Sequence, residues 1–361
     1  SDRNPAFPNE SEPPTPPKGS AVCVSATAVD TVSPMPTKNP APITCLGICT
    51  VDLIAQTVRQ WPTPGGLQLF DRYTMVTGGC AVNAAVDLAR LGLPVSLITK
   101  VGPDAFGRYI LDQCAAAGVR TDSCLTAPTG HTPLTFVALH PGGQRSFVHT
   151  MGTNATLEAR ELACLPALVA APLCFIAGLG LMPGLEGPAL GDLLALARSQ
   201  NPALRTLADT VHVDTISRED WARRLDPVLP QLDYFLPSWP EARAITGCAD
   251  PQQAAAQLAS RGARRVCIKL DAGGVLARDA DGSVLEVPAF QVDRVVDTTG
   301  AGDSWCAGFL AGLSTGRSLA EACRLGNATA AQCIQAVGAS TGIPALAVVE
   351  AYARSAPVRG G

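Results

Sequence analysis

Val295-Val296-Asp297-Thr298-Thr299-Gly300-Ala301-Gly302-Asp303, running on into Ser304-Trp-Cys-Ala-Gly-Phe-Leu-Ala-Gly-Leu313, reads as a short apolar approach, a turn of small residues and then a helix. Small residues let the backbone turn tightly at a helix entrance, so Gly300, Ala301 and Gly302 can aim unpaired N–H groups at one point. The helix dipole makes that point attractive to an anion, and a phosphoryl group gathering negative charge during transfer is a suitable occupant. Asp303, in the first turn, stands beside the same point and is able to accept a proton from an attacking hydroxyl. Taken alone, Gly-x-Gly-Asp is more simply a capped helix start, so the rest of the chain has to decide.

Outward from this stretch, short β-rich runs alternate with longer helical patterns from Ile43 onward, as a mostly parallel sheet covered on both faces requires. The expected core strands are Ile43 to Ile48, Val95 to Lys100, Leu173 to Ala177, Leu204 to Ala208, Tyr234 to Leu236 and Val266 to Leu270. Expected helices include Ala81 to Leu91, Phe106 to Ala117, Glu186 to Ser199 and Pro251 to Arg261. Two stretches, 57–77 and 119–150, break the alternation with Gly/Pro turns and alternating apolar residues. The clearest is Thr135 to His140, Pro-Gly-Gly and then Arg145 to His149, which reads as a hairpin. Strands inserted there predict a small β lid over one end of an α/β domain spanning 43–350. Residues 1–42 are rich in Pro and Ser without apolar periodicity and read as a disordered tail, with Met35 a suitable start for a compact form. Residues 351–361 read as a C-terminal tail.

The chain has 361 residues, 47% of them hydrophobic, enough for a substantial core. A formal charge of -4 with 16% charged residues provides no basic stripe, so nucleic acid and anionic membrane surfaces are not expected partners and a small molecule is. The 13 cysteines are scattered through apolar runs without a C-x-x-C pair, which favours buried free thiols over disulfides or zinc. No run reaches the roughly 18 apolar residues of a membrane helix and no leader pattern precedes the domain, so a cytoplasmic location is expected. Gly178-Leu-Gly180-Leu-Met-Pro-Gly184 superficially looks like a dinucleotide loop, but its third glycine is one residue late and Pro183 interrupts the turn. A P-loop string is missing, and the four histidines have no metal-ligand spacing.

With these motifs in hand, the sequence resembles the ribokinase, or PfkB, family of carbohydrate kinases. Asp297 to Asp303 is similar to the family's D-T-x-G-A-G-D signature. Gly78-Gly79-Cys80-Ala81-Val82-Asn83, opening a helix, is similar to its G-G-x-x-x-N signature, and Gly102-Pro-Asp104-Ala-Phe-Gly107 resembles its G-x-D-x-x-G element. The order and spacing of the three extend the resemblance over about residues 43 to 350. It implies a three-layer α/β/α domain with a β lid and ATP-dependent phosphorylation of a hydroxyl on a small sugar, with Asp303 as general base and Gly300, Ala301 and Gly302 as the anion hole. Adenosine-like nucleoside kinases share the signatures, and a non-catalytic sensor of the same fold is a further alternative.

The same resemblance assigns Asp52 to the sugar hydroxyls, Gly78 and Gly79 to close backbone approach, and Asn83 to another hydroxyl. Lys269, Gly274 and Asn327 fall on the nucleotide side, although Asn327 also has a plain packing explanation. Glu241 matches the acid that organises Mg²⁺ and its waters, but Ser238 stands where relatives carry Asn, and Glu241 is also an ordinary first-turn helix acid. Asp271 occupies a position more often Gly. Asp297 and Thr299, with Gly338 to Ser340, resemble a loop pair that holds a monovalent cation such as K⁺. The Gly178 loop falls near the sugar pocket, where some relatives supply a carboxylate missing here. The exposed face of the lid hairpin suggests a homodimer.

Overall fold

Fourteen strands make up three sheets in the computed structural model, which describes residues 40–141 and 145–359. In chain order they are β1 (Ile43–Gly47), β2 (Thr50–Gln56), β3 (Arg72–Gly78), β4 (Val95–Ile98), β5 (Lys100–Val101), β6 (Leu125–Thr126), β7 (Leu134–Leu139), β8 (Arg145–Thr150), β9 (Leu173–Leu179), β10 (Arg205–Thr210), β11 (Tyr234–Phe235), β12 (Val266–Lys269), β13 (Val275–Arg278) and β14 (Val284–Val287). The main sheet has the order β14-β13-β12-β11-β10-β9-β1-β4, parallel from β12 to β4 and closed at one edge by the antiparallel β12-β13-β14 meander. The disordered tail expected over 1–42 and the Met35 start fall outside the described residues up to 39, as does the turn at 142–144.

Strands buried on both faces explain the continuous apolar runs. In β9, Leu173, Phe175 and Ala177 pack on one side with the helices Cys80–Arg90, Ala301–Ser314 and Leu319–Cys333, while Cys174 and Ile176 pack on the other with Gly187–Gln200 and Pro251–Ser260. These two cores and the sheet between them are the α/β/α layers. The chain runs from β1 to β4 on one side and returns to β9 on the other, so the strand order reverses beside β1. In such sheets ligands bind outside the carboxyl ends of the strands near the reversal.

The lid is a four-stranded sheet, β3-β2-β7-β8. Its hairpin β7-β8 falls where the sequence suggested, but β2, one of its two inner strands, is not among the expected strands; it puts Asp52 in mid-strand, opposite Val76 and Thr135. The chain leaves the main sheet at Gly47 and enters the lid within three residues. Of the stretch 57–77, expected to hold lid strand, the last part forms β3, while 57–71 has no strand, since Pro62-Thr-Pro-Gly-Gly66 cannot sustain a ladder. The last segment also differs from its reading as a tail. Helix Leu346–Ser355 buries Val349 and Ala353, four apart on one face, and Val358 bridges back to Phe290.

All 12 cysteines among the described residues are free thiols, most of them buried. None of the helices described is long and apolar enough to cross a membrane.

Candidate active site

Helix Ala301–Ser314 begins at Gly300, whose φ of 75° is left-handed. No side chain caps the helix, and a Cβ added at Gly300 would lie 2.5 Å from that of Ala339. The turn therefore needs glycine both for its dihedral and for the loop packed behind it. Helix Cys80–Arg90 begins in the same way, with Gly79 at φ 92° and no side-chain cap; there a Cβ would meet the Ile48 carbonyl oxygen at 2.6 Å. A Cβ at Gly78 would lie 2.9 Å from the Asp52 carboxyl carbon. Two uncapped helix N-termini thus meet where the sheet reverses.

They are joined by a hydrogen bond between residues 220 apart in sequence: the Asn83 amide donates to the Asp303 carboxylate at 2.8 Å. Burial pushes the Asp303 carboxyl above the ordinary carboxylate range, a rise that the Asn83 bond and the Lys269 charge oppose without cancelling. A carboxylate so placed is a stronger base than one in water.

On one side of Asp303 lies a cavity of about 720 Å³, lined among others by Gly300, Ala301, Gly302, Lys269, Gly274 and Asn327. At its floor the Lys269 ammonium is 2.9 Å from Asp209 and would be 3.6 Å from a Cβ on Gly302. Burial alone would lower the Lys269 pKa, but Asp209, Cys306 and Glu241 together hold it well above its ordinary value. Glu241, also in the lining, sits in a capping box: its carboxylate accepts from the Ser238 N–H at 2.7 Å and from the Thr210 hydroxyl at 3.0 Å. Burial and the nearby Asp209 push its carboxyl up. Asp209 is likewise raised by burial, against the pull of Lys269.

Asn327 accepts from the Trp305 indole at 2.8 Å and donates to the carbonyls of Val287 and Pro288. Its amide is engaged by the protein itself, so it shapes the cavity wall. Asp271 is exposed with a φ of 49°, the backbone of a position where glycine is at ease. Gly274 packs so closely on Ala289 that a Cβ would meet its nitrogen at 2.6 Å. The Asp297 carboxylate ties the loop pair together, accepting from Thr299 N at 2.9 Å and Gly338 N at 3.0 Å.

On the lid side, Asp52 is pushed up by burial, and one of its oxygens has no hydrogen-bond partner. A buried, orphaned acceptor on a carboxyl packed beside Gly78 is a place for a donor supplied by a ligand. The nearby loop after β9 is held by Glu186, which accepts from Gly180 N and Met182 N at 2.7 and 2.9 Å.

The structure thus brings together Asp303, Gly300 to Gly302 and Asn83, sets Asp52, Gly78 and Gly79 on one flank, and puts Lys269, Gly274, Asn327 and Glu241 on the other. Sequence reasoning missed Asp209, whose only signal was a carboxylate at the carboxyl end of a parallel strand. It also missed Cys80, which lines the cavity beside Asp303.

A doubly wound domain with a β lid, an uncapped glycine turn and a raised carboxylate between two subsites has the form of a phosphoryl-transfer enzyme. Residues 41–346 match the model of the pfkB family of carbohydrate kinases, and the chain belongs to that family. It is an ATP-dependent phosphotransferase with an alcohol group as acceptor. The chain is 29% identical to a ribokinase of Haemophilus influenzae, over 84% of this chain and 95% of that one. It is 30% identical to an uncharacterized sugar kinase of Archaeoglobus fulgidus, over 71% and 98% respectively. A ribokinase of Arabidopsis thaliana, solved with ribose and ATP, superposes with a TM-score of 0.76 at 22% identity, covering 88% of this chain and 99% of that one.

Proposed function

We propose that the protein transfers the γ-phosphoryl group of ATP to a hydroxyl of a small sugar, with Asp303 as general base. The observation that carries this reading is the 2.8 Å bond from Asn83 to Asp303, which ties the acceptor side to the anion hole. The sugar lies under the lid, its hydroxyls donating to Asp52, whose orphaned oxygen supports that role, and its ring close to Gly78 and Gly79. As the acceptor oxygen bonds to the γ-phosphorus, the bond to the ADP oxygen breaks and the hydroxyl proton passes to Asp303. Gly300, Ala301 and Gly302 face the developing charge, and Lys269 neutralises part of it. Positioning and charge stabilisation supply most of the catalysis in such transfers.

Among the described residues no three His, Cys, Asp or Glu side chains converge as a protein-built metal cage. Asp209, Glu241 and Asp303 instead share one ammonium, a negative excess that suits Mg²⁺ carried in on phosphates. Glu241 would hold it through water, and the ion would draw charge from the transferring group. Asp297 and Thr299 frame a loop pair for K⁺; replacing K⁺ by choline in the assay tests that role. Exposed apolar side chains on the lid, among them Tyr73 and Phe147, support a homodimer through it, which sedimentation velocity checks. Free thiols throughout the described chain support a cytoplasmic location.

ADP release measured with ribose, fructose, 2-keto-3-deoxygluconate and adenosine tests the reading. Turnover on a sugar supports it. Turnover on adenosine alone would move the protein to the nucleoside kinases, and ligand binding without ADP release on any acceptor would make it a sensor.

A further inference from the structure

Asp87 is fully buried on helix Cys80–Arg90, in the otherwise apolar run Ala84-Ala-Val-Asp-Leu88. Burial pushes its carboxyl up to about 7, against the pull of the Ser304 and Ser340 hydroxyls, and one of its oxygens, Oδ1, has no partner within hydrogen-bond geometry. An apolar residue would pack this seam at less cost. The other oxygen accepts a hydrogen bond from the Ser304 hydroxyl at 2.6 Å. Ser304 follows Asp303 in the first turn of helix Ala301–Ser314, and Asp87 follows Asn83 by four residues, one turn further along the same helix face.

Two adjacent residues of one helix are therefore bonded to two successive turns of the other: Asn83 to Asp303 and Ser304 to Asp87. A single bond leaves a helix free to pivot about it; two bonds a turn apart fix both rotation and slide. The Ser304 hydroxyl has one hydrogen and a second acceptor near it, the Ala339 carbonyl at 3.3 Å. The shorter bond, to Asp87, takes that hydrogen. Removal of Asp87 frees the hydroxyl to turn toward the loop behind Gly300.

We propose that Asp87 is a positioning residue for phosphoryl transfer, which through Ser304 locks the first turn of the Asp303 helix in register with Asn83. This rests on the reading of Asp303 as the base. Asp87 touches no substrate; it acts by keeping Asp303 aligned with the acceptor hydroxyl. Misplacement of a reacting group by about 1 Å costs roughly 100-fold in rate.

The test compares kcat and both KM values, normalised to folded protein, in Asp87→Leu, Asp87→Asn, Ser304→Ala and Asp87→Leu combined with Asp303→Asn. Asp87→Leu and Ser304→Ala should each lower kcat by about 10- to 100-fold with the KM for ATP nearly unchanged. Asp87→Asn keeps an acceptor for Ser304 and should stay within about threefold of wild type. In the Asp303→Asn background, Asp87→Leu should cause no further loss, because its effect passes through Asp303. Wild-type kcat in Asp87→Leu or Ser304→Ala, an Asp87→Asn variant as slow as Asp87→Leu, or a further loss in the combined variant would each overturn the proposal. If Asp87→Leu does not fold, Ser304→Ala and Asp87→Asn decide. Near wild-type turnover in Asp303→Asn alone would instead refute the base reading, so the two failures are distinguishable.

Discussion

Replacing Asp303 by Asn removes one negative charge and the ability to take a proton while keeping size and shape. The introduced amide oxygen still accepts from Asn83, and the backbone of Gly300 to Gly302 is untouched. The proposed base and its charge are lost, and the shape of the site is kept. Positioned general bases contribute about 10²- to 10⁴-fold, or roughly 3–5 kcal/mol of barrier at about 1.36 kcal/mol per decade. Turnover in an ADP-coupled assay should fall within that range, while acceptor binding, measured by calorimetry, changes little. The raised pKa of Asp303 also gives a signed stability effect. Between the ordinary carboxylate pKa and the raised one, the folded state holds a proton that the unfolded state has released, so native stability falls as pH rises through that window. Above it the loss stays in full. Asp303→Asn should therefore melt higher than wild type at neutral pH, and the difference should shrink as pH falls to the ordinary carboxylate pKa. The wild-type rate should fall on the acid side at a pH above that of a free carboxylate. Turnover within tenfold of wild type, or loss of sugar binding together with turnover, would refute the assignment.

Asp52→Ala should raise the KM for the acceptor by about 10- to 100-fold, the loss of hydrogen bonds to a charged group, with a smaller effect on the KM for ATP; initial rates over both concentrations check this. Lys269→Met leaves Asp209 buried without its 2.9 Å partner, so thermal melts should show a loss of about 3–5 kcal/mol and the KM for ATP should rise. Gly300→Ala forces a left-handed residue and a 2.5 Å contact with Ala339; it should cost at least roughly 1–2 kcal/mol in stability and lower kcat without weakening sugar binding measured in the absence of ATP. ATP with EDTA should raise the melting temperature less than ATP with Mg²⁺, since three acids face one ammonium; equal shifts would argue against a cation on the phosphates.

Much of the fold was legible because strands buried on both faces leave continuous apolar runs, as in Leu173 to Ala177. The β13-β14 hairpin is not among the expected strands although Asp281-Gly282 is a good turn signal, because its strands have only four residues each and β14 leaves Val284 and Glu286 exposed. Strand β2 was missed for a different reason. Its seven residues follow a core strand after only Ile48 and Cys49, and sequence periodicity cannot show that the chain changes sheets there. The glycines and Asp303 were readable because a tight turn restricts residue type. Asp209 and Asp87 were not, because their meaning lies in partners 60 and 217 residues away.

How the buried acids are partnered separates the site from the scaffold. Asp233 bonds to Arg198 and Arg264, and Glu186 to Arg224 and two backbone N–H groups; these acids hold structure together. Asp52, Asp87, Asp209, Glu241 and Asp303 are all pushed up by burial, and of the five only Asp209 is in a salt bridge. Burying charge without matching counter-charge destabilises the fold, so such a concentration persists where function requires it. Under the proposed reading, four of the five have a ligand to answer them: sugar hydroxyls for Asp52, a hydroxyl proton for Asp303, a cation on phosphates for Asp209 and Glu241. Asp87 has no such ligand; it faces the hydroxyls of Ser304 and Ser340, and its bond to Ser304 fits the proposed alignment of Asp303.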